Sequence, residues 1–223
     1  MSVLIYSDHR TASVVTATLL VSSVIENPYE NIGLTYDSVL DETFEHMCAM
    51  HKDGLFRFSD ARIYQLCEFV PNDSQTPGVF DLLNDILFSE ATVNPEQYIV
   101  PFAEGKNWAR ICNDFENDIF EHGGLDVVLL VLRADGSLLY NPAGEELAPV
   151  THVELIGSEK VVSAGIATIM RAKKLFVFAT GSESAQAVQQ ALGGAVSDSI
   201  PASYLQLHQN VTFILDEEAA SLL

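Results

Sequence analysis

Hydrophobic and polar positions follow two patterns that alternate along the whole chain. Apolar residues three or four positions apart predict helices, and short continuous apolar runs predict buried strands. We predict helices at residues 38–54, 80–88, 107–122, 158–171 and 183–192, and also at residues 11–25, an apolar and β-branched segment whose length favours a buried helix. The second pattern occurs at residues 31–36, 61–70, 98–102, 125–132, 175–180 and 211–215. Strands and helices therefore succeed one another from end to end.

The two clearest segments indicate how these elements are arranged. Residues 107–122 carry their apolar side chains on one helical face, and Gly123 and Gly124 follow the predicted end of the helix. Residues 125–132 form a continuous apolar run, typical of a central parallel strand that is covered on both faces. The pattern predicts an α/β fold, doubly wound, with a mostly parallel sheet and helices on both faces. We interpret residues 1–223 as a single domain, because no repeat or charged linker divides them.

Composition and charge exclude some classes of binding partner. The chain has 31 acidic residues against 11 Lys and Arg, which gives a formal net charge of −20. A surface this acidic repels nucleic-acid phosphates and anionic lipid, so we expect neither nucleic acid nor a membrane as partner. Residues 1–7 lack the basic region of a signal peptide. We therefore expect a cytoplasmic protein.

Motifs for metals, cofactors and nucleophilic catalysis are missing from the sequence. The three cysteines have no CxxC spacing and are expected to be reduced thiols. The six histidines show no metal-ligand spacing, and there is no P-loop, HExxH or G-x-S-x-G sequence. We therefore predict no metal and no cofactor. Ligands of parallel sheets bind at the carboxyl ends of strands, which directs attention to residues 35–38, 67–72, 133–142 and 181–184.

Several segments are similar to those of one enzyme family. Residues 201–208 read Pro-Ala-Ser-Tyr-Leu-Gln-Leu-His, and residues 49–54 read Ala-Met-His-Lys-Asp-Gly. Residues 135–142 and 165–182 add an Asp-Gly loop and a glycine-bounded helix and strand. In this order and spacing they resemble the glucosamine-6-phosphate deaminase and galactosamine-6-phosphate isomerase family over nearly the whole chain. The resemblance implies that family's fold and a phosphosugar or related small ligand.

The resemblance also implies where proton transfer would occur. The family uses the Asp of an Asp-Glu-Tyr sequence as its base; here Cys67 stands at that position and Glu68 matches the next one. Asp135 matches the Asp of the family's ring-opening loop. Ser137 replaces the histidine of that loop, and its glutamate has no match before Pro142. The candidate catalytic residues are therefore Asp135, Glu68 and Cys67, although a thiol needs a lowered pKa to act as a base.

Phosphate binding is the second need that the resemblance implies. The family's glycine-rich loop corresponds to a stretch in which Thr35 and Ser38 remain as donors, while Asp37 adds a negative charge. Arg133 stands where the family has glycine, either as a phosphate clamp or in a salt bridge. Ser184 stands at the position of the family's lysine. The candidate substrate-binding residues are therefore Thr35, Ser38, Arg133 and Ser184.

Three interpretations follow from these matches and departures. In the first, the chain is a catalytically degenerate family member that acts by binding a small ligand or a protein. In the second, it is an active isomerase or deaminase with a rebuilt site. In the third, it is a 6-phosphogluconolactonase-like hydrolase, which shares the fold. The sequence leaves the oligomeric state open, a homo-oligomer included.

Overall fold

The computed structural model describes residues 1–58, 60–70, 77–101, 107–144 and 146–223. Its strands are β1 (Ser2–Tyr6), β2 (Asn31–Leu34), β3 (Arg62–Gln65), β4 (Cys67–Phe69), β5 (Tyr98–Ile99), β6 (Val127–Val131), β7 (His152–Ile156), β8 (Glu159–Ser163), β9 (Lys174–Ala179) and β10 (Val211–Asp216). Its α-helices are α1 (His9–Glu26), α2 (Asp41–Lys52), α3 (Val79–Leu83), α4 (Trp108–Glu121), α5 (Ile166–Met170) and α6 (Ala185–Gly193). Short turns of 3-10 helix include Ser38–Leu40, Ser182–Ser184 and Pro201–Leu207.

Seven strands form one parallel sheet in the order β1-β10-β9-β6-β2-β3-β5. Strand β6 is central, and all five of its residues are buried. Because successive side chains of a strand point to opposite faces, both faces of the sheet must be covered there. The predicted parallel α/β architecture is confirmed, with β6 and β9 in its core.

A second, three-stranded antiparallel sheet has the order β4-β8-β7. The prediction of a helix over residues 158–171 was wrong, since β8 occupies most of the first half and only α5 is helical. Strands β7 and β8 form a hairpin around Gly157, whose φ of 62° suits glycine. The local sequence pattern of β8 favours a helix, but pairing with β4, which lies far away in the sequence, makes this segment a strand.

The predicted strand over residues 61–70 divides into β3 and β4 at Leu66. The backbone N–H of Leu66 donates to Leu34 O in the parallel sheet, while Leu66 O accepts from Ala164 N beside the second sheet. Leu66 therefore joins the two sheets. Cys67 follows directly, at the point where the chain leaves the carboxyl end of β3.

The two longest helices, α1 and α4, begin at residues whose side chains cap them. Asp8 caps α1 by accepting from Thr11 N at 2.8 Å, and Asn107 caps α4 by accepting from Arg110 N at 3.2 Å. Helix α1 contacts β1, β9, β10 and α2. In the described part of the chain, no helix combines the length and apolar character needed to cross a bilayer.

Candidate functional site

The predicted site residues follow strands β2, β3, β6 and β9, whose carboxyl ends lie along one edge of the parallel sheet. Thr35 and Ser38 follow β2, Cys67 follows β3, Arg133 and Asp135 follow β6, and Ser184 follows β9. The sheet order places β9, β6, β2 and β3 side by side. Their hydrogen bonds and ion pairs show which of these side chains are in contact.

Cys67 lies in a closed environment just beyond the carboxyl ends of β2 and β3. Its side chain is 1% exposed, and its Sγ lies 3.2 Å from Thr35 Oγ1. Burial raises the pKa of the Cys67 thiol to about 12, an effect that the hydrogen bond to Thr35 and the charge of Arg133 offset only in part. The group at the position of the family's base therefore stays a neutral thiol at physiological pH.

Arg133 is held beside Asp37, in the loop that follows β2. Arg133 Nε lies 3.9 Å from Asp37 Oδ2, and its guanidinium carbon lies 4.7 Å from the centre of the Tyr140 ring. Both charged side chains are about one third exposed, at 35% and 30%. Burial raises the pKa of Tyr140, so this phenol remains neutral beside the guanidinium. The only cation placed among the predicted site residues is thus partly neutralised by its own chain.

The Glu68 side chain binds the start of α3 rather than Cys67 or Arg133. Its carboxylate accepts hydrogen bonds from Gln65 Nε2 at 2.8 Å and from the backbone N–H of Phe69, Val79 and Phe80 at 2.7–2.9 Å. The side chain is 4% exposed. With this many hydrogen bonds, the Glu68 side chain fixes the start of α3 to the segment that follows β3.

Asp135 and its neighbours form a tight turn after β6. Asp135 Oδ1 accepts from Ser137 N at 2.9 Å, and Gly136 has a φ of 82°. Asp135 is exposed, whereas Ser137 is buried. Within the described ranges, no side-chain hydrogen bond or ion pair joins Asp135 to Cys67 or Arg133.

Ser38 and Ser184 also lie in turns of their own. Ser38 is exposed and begins a 3-10 turn that Asp37 caps by accepting from Val39 N at 3.2 Å. Ser184 is 6% exposed and donates to Thr180 O at 3.1 Å. Ser184 therefore stabilises its own turn, and its hydroxyl is engaged with backbone in this structure.

Two residues near this edge were not predicted from the sequence. Tyr140 lies against Arg133. It could have been proposed from the sequence, because it lies within residues 135–142, one of the segments that carry the resemblance. His9 follows β1, and its Nδ1 lies 2.8 Å from Thr180 Oγ1. Nothing in the local sequence links residues this far apart, so only the fold reveals the second pair.

The arrangement offers donors and charge but little acid–base chemistry. The described residues include Thr35, Arg133, Tyr140 and exposed Asp135 near the strand ends, with a protonated thiol at the centre. In that same part of the molecule, no group of three or more His, Cys, Asp or Glu side chains is placed to hold a metal ion. The chemistry that these groups support best is hydrogen bonding to a polar ligand.

Comparison with known proteins identifies relatives of this chain by sequence. No family model matches the chain. A glucosamine-6-phosphate deaminase of Halothermothrix orenii is 30% identical over a 241-residue alignment that covers both chains completely. Another of Pseudoalteromonas translucida is also 30% identical, over all of this chain and 90% of its own length.

Solved structures agree with these sequence matches in fold. A monomeric glucosamine-6-phosphate deaminase superposes with a TM-score of 0.93 at 24% identity, and the match covers 100% of both chains. A 6-phosphogluconolactonase from Trypanosoma brucei superposes with a TM-score of 0.79 at 21% identity, over 100% of this chain and 98% of that one. Identities this low establish the shared fold only.

Proposed function

The chain belongs to the glucosamine-6-phosphate deaminase family, and from that premise we propose that it binds a small sugar-related ligand without catalysing deamination. The ligand would lie at the carboxyl ends of β2, β3, β6 and β9. Thr35, Ser38 and Arg133 would contact it, with Asp135 at the exposed margin. Cys67 and Glu68 would shape the floor of the site and take no part in proton transfer.

The observation that carries this proposal is the state of Cys67. A general base needs a pKa near the working pH, whereas burial raises the pKa of this thiol to about 12. Glu68 cannot replace it, because its carboxylate is engaged with backbone N–H groups of α3. Ser137 supplies no imidazole in the ring-opening loop. Two acid–base groups are thus missing together.

Charge at the strand ends supports weak rather than tight binding of a phosphate. Asp37 already pairs with Arg133, so an incoming phosphate must displace a carboxylate and then remain close to it. Glu183 lies in the turn after β9, and its carboxylate folds back against Gly181. A Cβ atom added at Gly181 would lie only 2.6 and 2.7 Å from the two carboxylate oxygens. A sugar hydroxyl or amine fits these surroundings better than a dianion does.

Ammonia release from glucosamine 6-phosphate tests the proposal, with the Halothermothrix orenii deaminase assayed alongside as the active control. General acid–base groups contribute about 10² to 10⁴ each, so losing two predicts a rate lower by at least about 10⁴-fold. Turnover within an order of magnitude of the control would refute the proposal in favour of an active, rebuilt site. Hydrolysis of 6-phosphogluconolactone in a parallel assay would instead favour the lactonase alternative.

Calorimetric titration with glucosamine 6-phosphate and with unphosphorylated glucosamine measures the binding half of the proposal. We expect the phosphate to confer no advantage in affinity. Micromolar phosphosugar binding that Arg133→Ala abolishes would make Arg133 a phosphate clamp and restore the active-enzyme interpretation. Micromolar binding that survives Arg133→Ala would mean that other groups hold the anion, and would overturn the proposed contact.

A further inference from the structure

A cleft lies at the amino ends of β6 and β9, at the opposite end of the sheet from the candidate site. It has a volume of about 260 Å³ and is bounded by the end of α4, the start of β6 and the end of α5. Strand β6 separates it from the carboxyl-end residues by about 17 Å, given five residues at about 3.3 Å each. The cleft is therefore distinct from the candidate site.

The floor and one wall of this cleft are apolar. Ile119 and Leu125 line it and are 7% and 2% exposed. Phe120 also lines it, with 83% of its surface exposed to solvent. Gly123 and Gly124 leave the adjoining wall free of side chains, because nothing lies within 4 Å of where a Cβ would project. A ligand seated here would cover part of an exposed aromatic ring.

A carboxylate is fixed in place beside this apolar floor. Glu116 Oε1 accepts hydrogen bonds from Thr151 N at 2.8 Å, from Thr151 Oγ1 at 2.5 Å and from Thr168 Oγ1 at 2.5 Å. Thr168 is 3% exposed and lines the cleft with Glu116. Within the described ranges, Glu116 Oε2 has no hydrogen-bond donor from the protein. Three bonds thus orient the carboxylate and leave one oxygen available.

A guanidinium provides the opposite charge in the same cleft. Arg171 lines it, is exposed, and forms no ion pair with any residue that the structure describes. Nearby Lys173 is different, since its Nζ lies 2.5 Å from Asp126 Oδ1. In a chain with 31 acidic and 11 basic residues, an unpaired arginine beside an oriented carboxylate suits a ligand that carries both charges.

We propose that this cleft binds a small zwitterion with an apolar side chain, in chemical terms a free α-amino acid. Its ammonium would contact Glu116 Oε2, its carboxylate would contact Arg171, and its side chain would lie between Phe120 and Leu125. The volume is just below the roughly 300 to 1,000 Å³ of sites for drug-sized ligands, so it suits a molecule of amino-acid size. The inference does not depend on what binds at the carboxyl ends.

Titration of the full chain with L-leucine and L-phenylalanine, followed in ¹H–¹⁵N spectra, tests this inference. We expect saturable shifts of the Gly123 and Gly124 amides. Arg171→Gln should weaken binding about tenfold, as expected for one charge-assisted hydrogen bond. Arg110→Gln is the matched control, because Arg110 is an exposed arginine of α4 that pairs with Asp114 outside the cleft. This control should leave the affinity unchanged.

Two modified probes separate the charges. N-acetyl-leucine lacks the ammonium and leucine amide lacks the carboxylate, so each should bind about tenfold more weakly than leucine. Absence of saturable glycine shifts at concentrations on the order of 10 mM would overturn the inference, because even millimolar affinity would be visible there. Equal affinity of the wild-type chain and Arg171→Gln, or shifts confined to the strand carboxyl ends, would also overturn it.

Discussion

The two ends of the parallel sheet differ in how some of their polar side chains bind. At the amino ends, side chains reach backbone groups far away in the sequence. Asn31 Nδ2 donates to His122 O and Gly124 O, both at 2.8 Å, and His208 Nε2 lies 2.7 Å from Ala172 O. These bonds connect the starts of β2, β6 and β9 with the segment that precedes β10. Each is a tertiary bond on which the arrangement of several elements depends.

At the carboxyl ends of the same strands, three of the polar side chains bind within their own turns. Asp37 accepts from Val39 N, Asp135 accepts from Ser137 N, and Ser184 donates to Thr180 O. Loops of this kind tolerate changes of residue type better than the helices and strands that they connect. The comparison explains how one sheet retains a family fold although the residues expected to perform its chemistry are altered.

The largest expected effect is in the alkylation rate of Cys67, which lies at the carboxyl ends of the strands and should react far more slowly in the native chain than in the unfolded chain. A pKa of about 12 in place of 9.0 lowers the thiolate fraction near pH 8 by about a thousandfold, and burial blocks the reagent further. Iodoacetamide labelling followed by peptide mapping should leave Cys67 unmodified until the chain unfolds. Rapid native labelling would mean that this end of the sheet is open and that Cys67 is a candidate nucleophile.

Asn31→Ala should destabilise the fold by about 2 to 4 kcal/mol. The substitution leaves the carbonyls of His122 and Gly124 without their donor at a site where Asn31 is 5% exposed. Urea unfolding monitored by circular dichroism measures the loss. A value below about 0.5 kcal/mol would contradict the claim that tertiary bonds at the amino ends maintain the sheet.

Glu30→Gln should stabilise the chain at neutral pH by about 1 kcal/mol. Burial raises the pKa of Glu30, and its Oε2 is buried without a hydrogen-bond partner among the residues that the structure describes. The stability that the protonated carboxyl contributes is complete below about pH 4.5 and is lost as pH rises through the raised folded-state pKa. Unfolding of both chains at pH 4 and pH 7.5 should show the difference only at the higher pH. An equal difference at both values would assign it to packing.

Asp135→Ala should have the smallest effect, within about 0.5 kcal/mol, because Asp135 is exposed and binds only its own turn. The same urea experiment serves, with Asn31→Ala as the reference for a large effect. Destabilisation as large as that of Asn31→Ala would remove the distinction between the two ends. Asp135 would then be part of the scaffold rather than an exchangeable surface residue.

The local pattern of apolar residues predicted the elements that are buried on all sides and those that carry apolar side chains on one face only. The run at β6 and the amphipathic face of α4 carry their own signal, and both appear within a few residues of the predicted ends. The region from β7 to α5 failed because β8 pairs with β4, about 90 residues earlier in the chain. No local pattern encodes that pairing, so residues 158–171 appeared helical.

For the candidate site, the sequence predicted which residues follow the strands of the sheet but not the contacts that these residues make. Sequence placed Thr35, Cys67 and Arg133 after neighbouring strands, and the structure brings them close together. It could not show that Asp37 pairs with Arg133, or that Glu68 binds the start of α3. Both depend on side-chain directions that only the packed loops define.

The pairing of β1 with β10 has a consequence for how the chain is made. Ser2 aligns with Thr212 and Tyr6 with Asp216, so β1 is synthesised long before the only strand that pairs with it in the described part of the chain. At about 5 to 20 residues per second, β1 waits roughly 10 to 40 seconds before β10 is synthesised. During that interval its apolar residues Val3 and Ile5, which remain 38% and 49% exposed even in the finished fold, have no strand beside them. The seven-stranded sheet can therefore be completed only after β10 has been synthesised, and until then β1 lacks its hydrogen-bonding partner.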